Sequence, residues 1–170
     1  LTDLFDYPVP TKGYPGNDHS PYLINGIEVT PLICAETDYP QLVRNSIIST
    51  SSSELIANIV ENSYYGKLMG PYLHLNVARM RAIETGRDIL RVASTGITSH
   101  ISKSGKVISA LKIDTHGILK GLVVGVSGLT PWLYIGIWPF VYMFILFIGF
   151  SIIPVSVFSK HKVLEESYIL

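Results

Sequence analysis

Ile27-Glu-Val-Thr-Pro-Leu-Ile-Cys-Ala-Glu36 is a mostly apolar run that holds the single cysteine of the chain, Cys34, and ends on a carboxylate. The Asn25-Gly26 pair before it is a typical hairpin turn, so we predict a strand over 27–34. Such a strand carries the thiol to the rim of a sheet, where a side chain can meet a substrate. Most free cysteines are buried and inert, so this position alone does not make Cys34 a nucleophile.

The residues that follow alternate between helical and strand patterns. Helices are predicted over 41–48 and 71–86, and strands over 55–60, 89–93, 97–101, 107–113 and 117–124. In the second helix, Leu73, Val77, Met80 and Ile83 form the apolar side. Strands and helices in this order are typical of an α/β domain with a mixed sheet, and the loops 34–38 and 61–66 would lie side by side at one edge of it.

The N-terminal residues and the overall charge are less informative. Residues 1–24 are predicted to form a loop, because four prolines and two glycines interrupt any periodicity. Lysine and arginine total 13, as do aspartate and glutamate, with acidic side chains concentrated in 1–70 and basic ones in 71–130. Neither half has the basic excess interleaved with aromatic residues that is typical of a nucleic-acid-binding surface, so no nucleic-acid partner is predicted.

The C-terminal region is different in kind. No charged residue occurs over 121–159, and 134–158 is almost wholly apolar. About 20 such residues span the hydrocarbon core of a bilayer, so a transmembrane helix is predicted over 131–159. Lys160 and Lys162 follow it directly, which places the tail 160–170 in the cytoplasm and the body 1–130 on the outer face by the positive-inside rule.

Six motifs occur in order along the chain: Asn25-Gly-Ile-Glu-Val-Thr-Pro-Leu-Ile-Cys-Ala-Glu36, Glu61-Asn-Ser-Tyr-Tyr-Gly-Lys67, Gly70-Pro-Tyr-Leu-His74, Ala78-Arg-Met-Arg-Ala-Ile-Glu-Thr-Gly-Arg87, Arg91-Val-Ala-Ser-Thr-Gly-Ile97 and Gly128-Leu-Thr-Pro131. Each motif alone is weak, but all of them in order ahead of an apolar terminal helix are specific. Over essentially its whole length the sequence resembles the C-terminal part of the apolipoprotein N-acyltransferases, the membrane-bound branch of the nitrilase superfamily.

The resemblance implies a fold, a reaction and a place in the cell. Residues 1–130 would form the C-terminal part of a nitrilase-like αββα sandwich, followed by one membrane helix. The family moves a fatty acyl chain from a phospholipid to the N-terminal amine of a diacylglyceryl-cysteine apolipoprotein, through a thioester on the cysteine. Its partners are therefore the phospholipid, the diacylated apolipoprotein and the membrane. The enzymes lie in the bacterial inner membrane with the catalytic domain on the periplasmic face, and no cofactor or metal is implied.

By the same resemblance, Cys34 is the nucleophile, Glu36 supports the site, and the backbone N–H of Ala35 donates to the oxyanion. Ala35 departs from the aromatic residue usual in the family. Tyr64 and Tyr65 stand where the family typically has Trp-Phe, and we predict that they line the acyl path, with ordinary packing an equal interpretation.

The family's triad glutamate and lysine precede the cysteine by more than the 33 residues available in this sequence. Lys12 lies in the Pro/Gly-rich loop and is not assigned as the triad lysine. Because the sequence also begins with Leu1, we interpret the chain as a fragment that holds the nucleophile without its base and is inactive alone. Recovering the coding sequence upstream of Leu1 would test this interpretation.

Two other functions stay open: a membrane-tethered nitrilase-type amidase that uses water as the second nucleophile, and a degenerate copy without catalysis. The apolar helix favours a lipid substrate over a soluble amide. The remaining polar residues of the second helix are predicted to be structural. Glu84 would pair with Arg81 or Arg87, and His74 has no second ligand at metal-binding spacing.

Overall fold

A computed structural model describes residues 20–49, 53–66, 68–113 and 115–152, and a mixed six-stranded sheet forms its centre. The strands are β1 (Tyr22–Ile24), β2 (Ile27–Ile33), β3 (Leu55–Glu61), β4 (Ile89–Thr95), β5 (Ser99–Ile101) and β6 (Val107–Ala110). The helices are α1 (Pro40–Ile48), α2 (Gly70–Thr85), α3 (Pro131–Ile135) and α4 (Trp138–Ile152), with 3-10 helices at Cys34–Asp38 and Ser63–Tyr65. The strands lie in chain order; β2, β3 and β4 are parallel and the outer pairs are antiparallel. This confirms the predicted α/β class and mixed sheet.

The hairpin that opens the sheet forms at the predicted turn. Asn25 and Gly26 have φ angles of 50° and 82°, and two consecutive residues in this region give the tight turn that matches the twist of an antiparallel pair. The partner strand β1 falls within residues predicted to be loop, so that part of the prediction is wrong. Its three side chains are all exposed, so the sequence lacks the alternation of apolar and polar residues that would predict a strand.

Helices α1 and α2 cover one face of the sheet, and the core lies between these helices and that face. The side chains of this core come from strands β2 to β5, from the turn between β4 and β5, from α1 and α2, and from α3: Leu32, Val43, Ile47, Ile56, Leu75, Ala78, Ala82, Ile89, Ile97, Ile101 and Leu133. Each large apolar side chain among them contributes about 1.5–3 kcal/mol when fully buried. This core fixes the edge of the sheet at which Cys34 lies.

The buried face of α2 is the opposite of the predicted one. Leu73 and Met80 are 57% and 53% exposed, whereas His74, Ala78 and Arg81 are buried. The helical period was correct, but the inward face carries polar side chains such as His74, which bonds to Thr37, and Arg81, which pairs with Glu84, so hydrophobicity alone selected the wrong side. A polar residue on a buried face is the more informative observation.

The strand predicted over 117–124 is also wrong. This segment has no ladder partner in the structure and runs on as irregular chain. Farther along, the Val126 N–H donates to the Glu54 carbonyl at 3.1 Å. Gly117 and Gly121 fall within the predicted strand, and glycine weakens strands because it has no side chain to pack.

The apolar C-terminal region forms α3 and α4, separated at Gly136, which has a φ of 65°. Within residues 20–152, as far as they are described, no helix has both the length and the apolar character needed to cross a bilayer. Residues 153–159 of the predicted span and the tail 160–170 lie outside the described residues.

Candidate active site

Cys34 lies at the junction where β2 ends and a 3-10 helix begins. Its φ of 46° is in the left-handed region, which residues other than glycine seldom adopt. The half-buried thiol donates to the carbonyl of Glu61 across 3.4 Å. The loops after β2 and β3 therefore meet at this edge, as predicted. A strained strand-to-helix turn is a common way to present a nucleophile.

Hydrogen bonds hold the backbone on both sides of Cys34. The Ile33 N–H donates to Oε2 of Glu36 at 2.7 Å, and Oγ1 of Thr37 donates to the Cys34 carbonyl at 3.1 Å. Ala35 is the second residue of the 3-10 helix, where backbone N–H groups have no partner within the helix. The carboxylate of Glu36 is thus tied to the residue before Cys34, and Ala35, whose N–H lies at the start of the 3-10 helix, follows Cys34 in sequence.

A buried arginine lies beneath this turn. Arg91 is only 1% exposed, and its Nη1 donates to Oδ1 of Asn58 at 2.9 Å. Asn58 in turn donates from Nδ2 to the carbonyls of Leu32 at 3.2 Å and Cys34 at 3.5 Å. Both residues point inward from β3 and β4, so a polar connection runs from the centre of the sheet to Cys34.

His74 of α2 makes a second connection to the same point. Its Nδ1 lies 3.2 Å from Nη2 of Arg91, and its Nε2 lies 3.3 Å from Oγ1 of Thr37. A guanidinium group can only donate, so Nδ1 accepts and the proton of the neutral ring is on Nε2. The hydrogen bonds then run in one direction, from Arg91 through His74 and Thr37 to the carbonyl of Cys34.

The amide of Asn62 fits this assignment when its oxygen and nitrogen are exchanged. Nδ1 of His74 is 2.8 Å from Oδ1 of Asn62, although both atoms would be acceptors. Nδ2 of Asn62 is buried and has no partner among the described residues. Because these two amide atoms are assigned from the hydrogen-bond network, turning the amide places Nδ2 next to His74, where it and Nη2 of Arg91 share the single lone pair of Nδ1.

The charges of the site follow from burial. Burial lowers the pKa of His74, and the neighbouring Arg91 lowers it further, while Asp38 at 3.6 Å and the carbonyl of Cys34 act in the opposite direction. Burial also lowers the pKa of Arg91 to about 10, against the attraction of Cys34 and Asp38. At neutral pH the histidine is therefore neutral and the arginine is a buried cation.

Glu61 borders the thiol but is not suited to remove its proton. Its carboxylate accepts from the hydroxyls of Ser94 and Thr95 and, at 2.7 Å, from the N–H of Ser63. These hydrogen bonds lower the pKa of Glu61 to about 2. A general base works best when its pKa is near the operating pH, so this carboxylate instead orders the rim beside Cys34.

The other predicted residues are placed as follows. Tyr64 lies in the 3-10 turn after β3 and is 72% exposed, and the Tyr65 side chain lies outside the described part of the structure. Arg81 and Glu84 form the predicted ion pair at 3.0 Å. Arg87 instead donates to the carbonyls of Ser53, Thr85 and Gly128.

Sequence reasoning missed Thr37, Asn58 and Arg91 as parts of the site. Asn58 and Arg91 did carry a signal, since each interrupts an apolar run at a position whose neighbours alternate inward and outward along the strand. A polar residue at an inward position of a buried strand needs an internal partner. The first clue to this network was therefore present in the strand pattern.

Comparison with known proteins places the chain in a family. Residues 3–124 match the family model described as Carbon-nitrogen hydrolase. Among solved structures, the carbon-nitrogen hydrolase of Helicobacter pylori G27 is 11% identical, with a TM-score of 0.49 over 60% of this chain and 42% of that one. An amidase from Nesterenkonia sp. is 16% identical, with a TM-score of 0.45 over 59% and 40% of the two chains.

Similarity in sequence extends to acyltransferases. The apolipoprotein N-acyltransferase of Pseudomonas paraeruginosa (strain DSM 24068 / PA7) is 31% identical over 139 residues, covering 82% of this chain and 27% of that protein. The apolipoprotein N-acyltransferase of Pseudomonas syringae pv. tomato is 29% identical over 157 residues, covering 92% and 30%. The chain thus spans less than a third of the length of these curated relatives. Because the family model matches well over half of its 170 residues, the chain belongs to the carbon-nitrogen hydrolase family.

Proposed function

We propose that this chain carries the nucleophile of an apolipoprotein N-acyltransferase, with Cys34 as the residue that accepts the acyl group. The observation that supports this best is the left-handed Cys34 at the end of β2, with its thiol against the Glu61 carbonyl. The similarity to acyltransferases over 82% of the chain favours a phospholipid as donor and a diacylglyceryl-cysteine lipoprotein as acceptor.

The reaction proceeds in two displacements. The sulfur of Cys34 attacks the ester carbonyl of the phospholipid, a C–S bond forms, and the C–O bond to the glycerol breaks. The departing alkoxide takes up a proton and leaves as a lysophospholipid, and the backbone N–H of Ala35 donates to the oxyanion of the intermediate. The N-terminal amine of the acceptor then attacks the thioester, the C–S bond breaks, and the amine proton returns to the sulfur.

The proton of the thiol needs an acceptor, and we assign this role to the glutamate and lysine of the family's triad. Neither Glu61 nor His74 fits that role. Glu61 is held ionised by its hydrogen bonds, and His74 is occupied by Arg91 and Thr37. Glu36 takes a supporting role through its bond to the Ile33 N–H.

Because the proposed donor and acceptor are both lipid-bearing molecules of a membrane, the proposed reaction requires that the chain be attached to that membrane. The side chains of α4 include Phe140, Phe144 and Leu146, which are 61%, 63% and 73% exposed and have no protein surface over them in the described residues. We propose that α4 begins the membrane helix and holds the body on the periplasmic face. We propose that Tyr64, exposed in the turn that follows Glu61, faces the arriving acyl chain.

Labelled phospholipid tests the proposal. Incubation with the chain and its upstream coding region should give a hydroxylamine-sensitive acyl adduct on Cys34, and a diacylated lipopeptide should discharge it. Cys34→Ala should abolish the adduct, and Cys34→Ser should also fail, since the less acidic hydroxyl is a far weaker nucleophile in such a site. An adduct that persists in Cys34→Ala would refute the proposal. Discharge to water alone would point to the amidase.

A further inference from the structure

We propose that Arg91 and His74 are positioning residues for the nucleophile, and that they hold Cys34 in its left-handed conformation through Asn58 and Thr37. The thiol of Cys34 is hydrogen-bonded to the Glu61 carbonyl and not to either of these residues. They act on the carbonyl of Cys34, which is the point at which the two hydrogen-bonded connections meet. The inference rests on the proposed function insofar as Cys34 is the nucleophile, and it adds which residues set the direction of the sulfur.

The geometry of the carbonyl is the first support. It accepts from Oγ1 of Thr37 at 3.1 Å and from Nδ2 of Asn58 at 3.5 Å. Two donors fix the plane of the peptide that follows Cys34. At a φ of 46° that residue would otherwise relax to the negative φ that side chains prefer. The same hydrogen bonds therefore determine where the sulfur points.

The second support is the cost of burying Arg91. A cation that is only 1% exposed is expensive unless it is paired, yet none of the ion pairs among the described residues includes it. Its Nε is also buried without a hydrogen-bond partner in the described part of the chain. An apolar side chain of the same length would fill this position at lower cost. The presence of a guanidinium here is explained by its two hydrogen bonds, because Nη1 orients Asn58 while Nη2 orients His74.

The third support is that the hydrogen bonds of His74 with Arg91 and Thr37 require a neutral ring. Only a neutral ring accepts from Arg91 at Nδ1 and donates from Nε2 to Thr37, whose own hydroxyl proton is then directed at Cys34. Thr37 is fully buried, so its hydroxyl has no water to replace these partners. Removing this single hydroxyl would therefore disconnect His74 and Arg91 from the nucleophile.

Two pairs of variants separate positioning from packing. Thr37→Val keeps the shape of the side chain and loses the hydroxyl, whereas Thr37→Ser keeps the hydroxyl and loses a methyl group. Arg91→Met removes the buried guanidinium beneath Cys34. Arg87→Met removes an equally buried one whose partners are the carbonyls of Ser53, Thr85 and Gly128. A role in packing alone predicts that Thr37→Ser is worse than Thr37→Val and that the two methionine variants behave alike.

The readout is the rate at which iodoacetamide alkylates Cys34, the only thiol of the chain, in detergent at constant pH. Thr37→Val and Arg91→Met should move this rate about tenfold towards that of the urea-unfolded chain, while Thr37→Ser and Arg87→Met stay within about twofold of the wild type. A wild-type rate in Thr37→Val, or equal changes in the two methionine variants, would overturn the inference. If Arg91→Met does not fold, the threonine pair alone decides it.

Formation of the acyl thioester, measured in parallel, separates this inference from the proposed function. If the threonine pattern holds but labelled phospholipid gives no adduct, the acyltransferase assignment fails and the positioning role stands. If the adduct forms but the alkylation rates of Thr37→Val and Thr37→Ser are the same, only the positioning role fails.

Discussion

Nη2 of Arg91 lies 3.2 Å from Nδ1 of His74, so a buried cation and a buried histidine share one hydrogen bond. The arrangement is stable only while the ring is neutral, because a protonated ring offers no lone pair and adds a second positive charge. Asp38, 3.6 Å from Nε2 of His74, is the acidic group that partly offsets the charge. The site therefore carries a built-in dependence on pH.

Acidification should loosen the site. Burial and Arg91 lower the pKa of His74 in the folded chain below its ordinary value of 6.5, so the unfolded chain binds the extra proton first. The stability that depends on the neutral ring is complete above that ordinary value and is lost as the pH falls. We expect the Tm of the wild type to fall more steeply than that of His74→Gln between about pH 7 and about pH 5.

The His74→Gln variant is a suitable comparison because a glutamine amide can accept from Arg91 and donate to Thr37 without titrating. Arg91, Asp38 and the carbonyl of Cys34 face the ring from the surrounding elements, and they are unchanged in the variant. Parallel Tm curves for the two proteins would show that His74 does not contribute to the acid response.

How much of this site could be predicted from the sequence depends on the range of each interaction. The turn at Asn25-Gly26, the order of the elements and the meeting of the loops after β2 and β3 follow from local patterns and strand order, and they were predicted. The link from Arg91 to Cys34 joins residues far apart in sequence through a single intermediate, Asn58. No local pattern encodes which buried polar groups will meet.

The prediction of which face of α2 is buried was wrong for a related reason. His74 and Arg81 are seven residues apart and therefore share a helical face, but a hydrophobicity pattern treats such a polar face as solvated. The hydrogen bonds of His74 with Thr37 and Arg91 reverse that expectation. Burial of a polar face becomes predictable only once its partners on the sheet are known.

A methyl group at Gly96 should disturb the site by displacing Asn62. Gly96 has a φ of 107°, and a Cβ there would lie 2.7 Å from one amide atom of Asn62, a buried residue whose other amide atom lies 2.8 Å from Nδ1 of His74. Gly26 has a φ of 82° with open space around it, so Gly26→Ala adds backbone strain alone. We expect Gly26→Ala to cost about 1 kcal/mol and Gly96→Ala at least ~1 kcal/mol more.

Urea unfolding of the two alanine variants measures this difference, and the alkylation rate of Cys34 reports whether the change at residue 96 reaches Cys34. The expected pattern is a changed alkylation rate in Gly96→Ala only. Equal losses of stability in the two variants would mean that Asn62 can move aside, and that its contact with His74 is dispensable.

The proposed membrane topology can be tested with a reporter. Lys160 and Lys162 follow the apolar region, and the aromatic residues that precede it carry no charge. The positive-inside rule then places the C-terminus in the cytoplasm. A reporter that is active only in the periplasm should be silent when fused after Leu170, and a matched fusion at an exposed turn of the body, such as Ser104, should be active. Activity after Leu170 would reverse the topology.

The segment that leads to α4 should be held to the body chiefly by Leu133. This side chain is 1% exposed within the core, while Thr130 caps α3 and donates to the Glu84 carbonyl, and Arg44 donates to the carbonyl of Trp132 at 3.3 Å. Leu133→Ala removes buried atoms and leaves a cavity, so we expect the free energy of unfolding to fall by about 2–5 kcal/mol.

Leu129 supplies the matched control, since the same substitution there removes a side chain that is 54% exposed and should change stability by less than about 0.5 kcal/mol. Urea titration of both variants in detergent, followed by tryptophan fluorescence, measures the difference. Trp132 is next to Leu133, so its emission should also shift to longer wavelength in Leu133→Ala as water reaches α3. Equal stabilities of the two variants would mean that α3 does not anchor the apolar region, and that the orientation of Cys34 relative to the membrane is set elsewhere.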